Sequence, residues 1–153
     1  LLFFFFFITE VDEYRYRYSE LKRLVSEMGL SDKVKFVECE YQPDVYLDAV
    51  SGYEDAKEGG SRCGICFDMR LKTTALFAKE YGCDYFATTL TISPLKNASY
   101  INSIGQRISK DVGVEYLPSD FKKKNGYKRS IELSHEYNLY RQNYCGCVFS
   151  KSN

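Results

Sequence analysis

Apolar and polar positions alternate along this chain in a way that sorts it into strands and helices by turns. Residues 1–8 are a continuous apolar run dominated by phenylalanine, which suits a strand buried on both faces. Residues 9–29 then read as a helix. Thr9 or Asp12 is placed to cap it, Leu21, Leu24, Val25 and Met28 form its apolar stripe, and Gly29 ends it. Residues 33–41 alternate and are rich in β-formers, which predicts a second strand, and a short helix follows Pro43 and stops at Gly52.

A polar loop over 53–63 leads into a helix expected from Gly64 to Tyr81, with Leu71, Thr74, Ala75 and Ala78 facing inward. Residues 83–91 read as a strand. Ser93 as N-cap and Pro94 at the first helical position predict the next helix, and 114–121 one more strand. A basic turn (122–129), a helix over 130–138 and a tail complete the chain. Strands alternating with helices imply parallel pairing through right-handed crossovers. The expected fold is a single α/β domain over 1–153, Rossmann-like, with a mainly parallel sheet flanked by helices and a cysteine-bearing C-terminal tail.

Composition changes this picture little. With 153 residues, 44% hydrophobic and 27% charged, the chain has the make-up of one globular domain with a sizeable core. Lys plus Arg equals Asp plus Glu at 21 each, so any polyanion contact has to come from a local patch. The apolar opening of eight residues is far short of the ~20 that cross a bilayer, and it lacks the features of a signal peptide. No membrane contact is expected, and the expected location is cytoplasmic.

Cysteine usage is more informative. Four of the six cysteines form tight pairs, Cys63 with Cys66 and Cys145 with Cys147, and such clustering reads as metal or redox chemistry. Cys39 and Cys83 lie in apolar, strand-like surroundings and read as plain buried thiols. In a C-x-x-C at a helix start, backbone N–H groups and the helix dipole favour thiolate, with Arg62 and Arg70 adding positive charge. Cys63 and Cys66 are therefore expected together at a helix start near the carboxyl edge of the sheet. The bland alternative is two core residues one turn apart. Cys145 and Cys147 either complete a four-cysteine zinc site with that pair or stand apart as a dithiol that cycles with an external reductant.

Ligands of parallel α/β sheets sit beyond the carboxyl ends of the strands. There the strand-to-helix turn over 88–96 presents Thr88, Thr89, Thr91, Ser93 and Lys96. It reads either as a phosphate or ribose site or as a plain capped helix. Lys122, Lys123, Lys124, Lys128 and Arg129 crowd into eight residues. That is ordinary solvated surface, or, with Tyr127 and Tyr140 able to stack on bases, an RNA contact made through phosphates by Lys122, Lys123 and Lys128. His135 lies in a helical pattern and is expected to be buried and structural.

Four blocks, RCGICFDMRL, DYFATTLTISPLKN, SDFKKKNGYKRS and LYRQNYCGCVFS, resemble in their order the cobalamin-independent epoxyqueuosine reductases of the QueH type, over about residues 53–150. The resemblance implies an oxidoreductase that reduces the epoxide of epoxyqueuosine to queuosine in tRNA, using a 4Fe-4S cluster in place of cobalamin. Its partners would be tRNA carrying epoxyqueuosine and an electron donor that the sequence does not identify. By the same resemblance Cys63 and Cys66 match two cluster ligands, while Cys145 and Cys147 match a redox-active pair able to form a disulfide. That pair is then expected within reach of the metal site, anchored by Leu139, Tyr140, Tyr144, Val148 and Phe149. Asp120 and Asp68 are candidates for an acid, or for the oxygen ligand of an additional iron, that polarises the epoxide oxygen.

The chain departs from the family where a dicysteine loop should follow the first strand and an Asn-Pro-Asn-like turn the second. Leu2 runs straight into Phe3 and Phe7 into Ile8, so against the resemblance either loops carrying the other two cluster ligands are missing from this sequence at those junctions, or the chain lacks them naturally and cannot hold a cubane cluster. Two readings of other kinds compete: a zinc-stabilised RNA-binding module without catalysis, and a thiol–disulfide oxidoreductase using Cys63 and Cys66.

Overall fold

The computed structural model describes residues 1–3, 10–37 and 40–151. They fall into two compact units, Leu1–Asp55 with Ile131–Asn153, and Ala56–Ser130. Each unit contains one strand–helix–strand arrangement with parallel strands, so the protein is of the α/β class.

In the first unit, β1 (Leu2–Phe3) pairs with β2 (Phe36–Val37), Leu2 opposite Phe36 and Phe3 opposite Val37. Parallel neighbours need a long crossover, and α1 (Val11–Glu27) provides it. The rest of the expected first strand, the Phe7–Ile8 junction, Thr9 and Cys39 lie outside the described residues. Glu10 stands at the N-cap of α1 with no side-chain cap, and Asp12 falls inside its first turn, where a negative charge favours the helix dipole. Of the predicted stripe, Val25 is buried and Leu21 and Leu24 are half-buried, but Met28 is 41% exposed. The apolar face is instead lengthened toward the N-terminus by tyrosines. Tyr14 stacks on Tyr18 at 5.9 Å and on Tyr41 at 5.7 Å. The short helix α2 (Pro43–Ala49) begins at the predicted proline and buries Tyr46.

In the second unit, α3 spans Ser61–Glu80, three residues longer at its start than the pattern indicated, because Gly64 N–H already bonds back to Gly60. Leu71, Ala75 and Ala78 are buried as predicted, and Thr74 is half-buried. The strands β3 (Tyr85–Phe86) and β4 (Glu115–Tyr116) pair in parallel and are much shorter than the runs 83–91 and 114–121.

Their crossover is α4 (Ala98–Val112), which starts five residues later than Ser93. The chain first makes a 3₁₀ turn over Leu90–Ile92, and Asn97 then caps the helix by accepting the Tyr100 N–H at 3.1 Å. Burial sets the boundary. Leu95 is 71% exposed and Ala98 is buried, and Ile101, Ile104, Ile108 and Val112 form one stripe that packs with Leu71, Phe86 and Tyr116 in the core.

Helix α5 (Gly126–Glu136) begins four residues before the predicted start, because Arg129 N–H bonds to the Asn125 carbonyl. His135 on it is exposed, which corrects the expectation of a buried histidine; α5 buries none of its residues. Among the described residues no helix is long and apolar enough to cross a membrane.

Candidate functional site

Cys63 and Cys66 sit in the first two turns of α3, three residues apart and therefore on one face. Cys63 is half-buried and its sulfur accepts the Gly59 N–H at 3.2 Å; Cys66 is 9% exposed. Arg62 between them and the loop is 3% exposed, and Arg70 lies half-buried a turn beyond. The Phe67 ring, adjoining Cys66, meets Tyr100 of α4 edge-on at 6.3 Å, a neighbour that sequence alone did not indicate. Asp68 pairs with Arg107 of α4, so its charge already has a protein counterion. Cys83 is half-buried against the core, consistent with a structural thiol.

Two cysteine sulfurs on one helical turn are a fitting donor set for two thiolate positions of a metal centre. Among the described residues no group of three His, Cys, Asp or Glu side chains converges on a common point. The described residues thus fit half of a four-thiolate set.

Beyond the carboxyl ends of β3 and β4 the segments 88–96 and 117–123 lie together. Thr91 is fully buried, its hydroxyl 2.9 Å from that of Ser119 and accepting the Phe121 N–H at 3.5 Å, so it braces the loop. Asn102 of α4 does the same from the other side. Its amide donates to the Ser119 carbonyl at 2.9 Å, and its oxygen accepts from the Tyr116 hydroxyl at 2.9 Å and the Ser119 N–H at 3.2 Å. Thr88 accepts the Leu90 N–H at 3.2 Å; Thr89 is exposed, and Ser93 and Lys96 are half-buried.

Lys122 is not a loose surface cation. Its ammonium donates to the carbonyls of Thr91 at 2.9 Å and Lys96 at 3.2 Å and lies 3.3 Å from Asp120. It ties together the segments that carry the other candidates. Lys123, Lys124, Tyr127, Lys128 and Arg129 are exposed. A cleft of about 370 Å³ opens against this braced loop, with Ser99, Asn102, Ser103 and Gln106 of α4 on one wall and Asp120 and Lys123 on the other. Its lining mixes polar and apolar groups, with Ala98 and Pro118 beside the serines and amides, and carries one acidic and one basic side chain.

The tail belongs to the first unit, and polar contacts with α1 fix it. Arg23 donates to the carbonyls of Tyr137 at 3.1 Å and Asn138 at 3.2 Å, and Glu20 accepts the Tyr140 N–H at 3.0 Å. Arg17 bonds the Gln142 side chain, donates to the Tyr144 carbonyl at 3.3 Å and lies 4.9 Å from the centre of the Tyr144 ring. Glu13 accepts from the Tyr140 hydroxyl at 3.0 Å. The expected apolar anchoring is only partly present, since Tyr140, Val148 and Phe149 are each 38–40% exposed while Leu139 and Tyr144 are half-buried.

The clamp delivers the two tail thiols to unlike places. Cys145 is half-buried and its thiol donates to Ser150 Oγ at 3.6 Å. Cys147 is 4% exposed with the Tyr46 hydroxyl 3.1 Å from its sulfur. Between them Gly146 is buried at φ 97°, a backbone state that a side chain there would strain. Cys145 and Cys147 are free thiols.

The Arg23 guanidinium, and after it the Tyr140 N–H, hold the Glu20 carboxyl down at about 2. A carboxylate whose folded value lies below its ordinary 4.5 stabilises the docked tail fully above 4.5 and loses that contribution as pH falls toward 2. Protection of the Tyr140 amide, its exchange relative to the intrinsic rate at each pH, is therefore expected to hold from neutral pH down to about 4.5 and to fall below it. Glu20→Ala, which removes the acceptor, should show low protection at every pH. Equal exchange in the two proteins at pH 7 would mean that Glu20 does not secure the tail.

The structure is that of an α/β protein with two close cysteine pairs. The family model described as epoxyqueuosine reductase QueH matches residues 1–153. Curated relatives similar to this chain carry the name epoxyqueuosine reductase QueH. That of Streptococcus pyogenes serotype M1 is 50% identical over 141 residues, covering 91% of this chain and 55% of the relative. That of Staphylococcus aureus is 51% identical over 119 residues, 76% and 50% of the two chains. That of Thermotoga maritima is 37% identical over 150 residues, 96% and 78%. The chain belongs to the QueH family of epoxyqueuosine reductases. It spans about half the length of the streptococcal and staphylococcal relatives it matches.

Proposed function

We propose that this protein is an oxidoreductase that reduces epoxyqueuosine to queuosine in tRNA, in the cytoplasm where its substrate is found. Family membership supports the reaction class. The observation on the chain itself that carries the reading is the clamped tail dithiol, one thiol half-buried and the other enclosed. Conversion of an epoxide to an alkene takes two electrons and two protons and releases the oxygen as water. A dithiol that closes to a disulfide supplies both electrons and both protons, so the Cys145–Cys147 pair balances one turnover. An external donor then reopens it.

Cys63 and Cys66 are proposed as two ligands of an iron–sulfur cluster, which when bound supplies electrons singly. Asp120 is proposed as the acid beside the substrate. It stands on the cleft wall beside Lys122. The turn residues Thr89, Ser93 and Lys96 are assigned to substrate contact, Lys122 to ordering the loop around it, and Lys123 and Lys128 to phosphates.

The test is anaerobic incubation of the protein with epoxyqueuosine-bearing tRNA and a reductant, followed by nucleoside digestion. Queuosine is the expected product, and its absence from metal-replete protein overturns the reading. Neutralising Lys123 and Lys128 together should weaken tRNA binding and reduce the dependence of log affinity on log salt by about two, one per lost phosphate contact. An unchanged slope would make both lysines plain solvated surface.

A further inference from the structure

Two thiols one residue apart ordinarily share one environment; here they do not. Cys145 is half-buried beside Ser150, whereas Cys147 is enclosed with the hydroxyl of Tyr46 3.1 Å from its sulfur. Tyr46 is 1% exposed, so this pair is shielded from water, and it joins positions 101 residues apart. Either atom is able to donate, but a phenol O–H is much the stronger donor, and its bond to sulfur strengthens as the sulfur gains negative charge. Burial alone penalises a thiolate at Cys147; a hydrogen bond to the charged form offsets that penalty.

We propose that Tyr46 is a positioning residue that makes Cys147 the departing sulfur when a Cys145–Cys147 disulfide is reduced, so that the reductant enters at Cys145. The inference rests on the reading that these cysteines cycle as a disulfide. In the first step a thiolate of an external dithiol attacks Cys145 Sγ. A bond forms between the two sulfurs, the Cys145–Cys147 bond breaks, and its electron pair leaves on Cys147 Sγ, which accepts the hydrogen bond of Tyr46. In the second step the remaining thiol of the donor, as thiolate, attacks its own sulfur in the mixed disulfide and expels Cys145. The donor ends as a cyclic disulfide, two electrons have passed to the protein, and the donor's two protons reside on the two cysteines. Entry at Cys147 is disfavoured twice: its sulfur is enclosed, and the departing Cys145 would lack the phenol.

The experiment uses the oxidised protein and dithiothreitol, with the Cys145–Cys147 bond first verified by peptide mapping. Tyr46→Phe keeps the ring and removes the donor. Its disulfide should be reduced about tenfold more slowly, the effect of one lost hydrogen bond to a charged group attenuated by a partly developed charge. Phenylalanine at 46 merely filling space would leave the rate unchanged, and a wild-type rate overturns the proposal. Independently of that variant, an aromatic disulfide reagent should load Cys145 quickly in Cys147→Ser and Cys147 slowly in Cys145→Ser. Equal loading overturns the order of entry. If oxidation yields no Cys145–Cys147 bond at all, the redox reading of the pair fails, and that result is separate from any failure of Tyr46 to act on it.

Discussion

Serine at Cys145 or Cys147 is expected to cut epoxyqueuosine reduction by about a thousandfold or more, with the fold retained. A hydroxyl cannot form the sulfur–sulfur bond, so each variant removes the whole two-electron source and the two losses should not add. The structure says why the fold survives. Cys145 is half-buried beside Ser150, where a hydroxyl has an immediate partner. Cys147 is enclosed, but the Tyr46 hydroxyl at 3.1 Å is able to pair with a serine oxygen, which limits the cost of burying a polar group to about 1 kcal/mol. Queuosine appearing at the wild-type rate in both variants would remove the pair from the reaction. Product loss with a collapsed melting transition would show instead that Cys147 serves the core.

Much of this was legible from residue pattern, and what was not has physical causes. The existence of α4 was readable from the Ser93-Pro94 start signal, yet the same signal misplaced its first residue. Local capping chemistry suggested one boundary, and burial of Ala98 beside exposed Leu95 selected another. The two cysteine pairs were legible as chemistry because their spacing has few structural uses. The clamp on the tail was not. Glu13, Arg17, Glu20 and Arg23 stand three or four apart and look like solvated pairs of an exposed helix. Their further partners are largely main-chain groups at 137, 138, 140 and 144, and a carbonyl leaves no mark in a sequence. Tyr46 was missed for a related reason, since a tyrosine in a short helix carries no sign of the sulfur it meets. Lys122 was assigned with its basic neighbours by composition. Only geometry separates the lysine that bonds two main-chain carbonyls of the 88–96 turn from those that face solvent.

Replacing Gly126 by alanine should lower stability by about 2 kcal/mol, against the sign that helix propensity alone would give. Gly126 is the first residue of α5, and alanine ordinarily favours a helix over glycine by about 1 kcal/mol. Here an added Cβ would lie 1.8 Å from the Phe121 carbonyl oxygen and 3.0 Å from its carbon, both main-chain atoms that no rotamer change can move. The turn itself must open. That turn is already committed, with Lys124 at φ 53° and Asn125 at φ 62°, and with Lys123 N–H on Asp120 and Gly126 N–H on Lys123. Opening it shifts Asp120 and Lys123, which form one wall of the cleft. The variant should therefore melt several degrees lower and also bind tRNA more weakly, two readouts that a change in helix propensity would not couple. Lys128→Ala, exposed on the same helix, should stay within about 0.5 kcal/mol of the parent. If Gly126→Ala unfolds at the parent's denaturant midpoint, the turn relaxes freely and the Asp120 wall is not held by it.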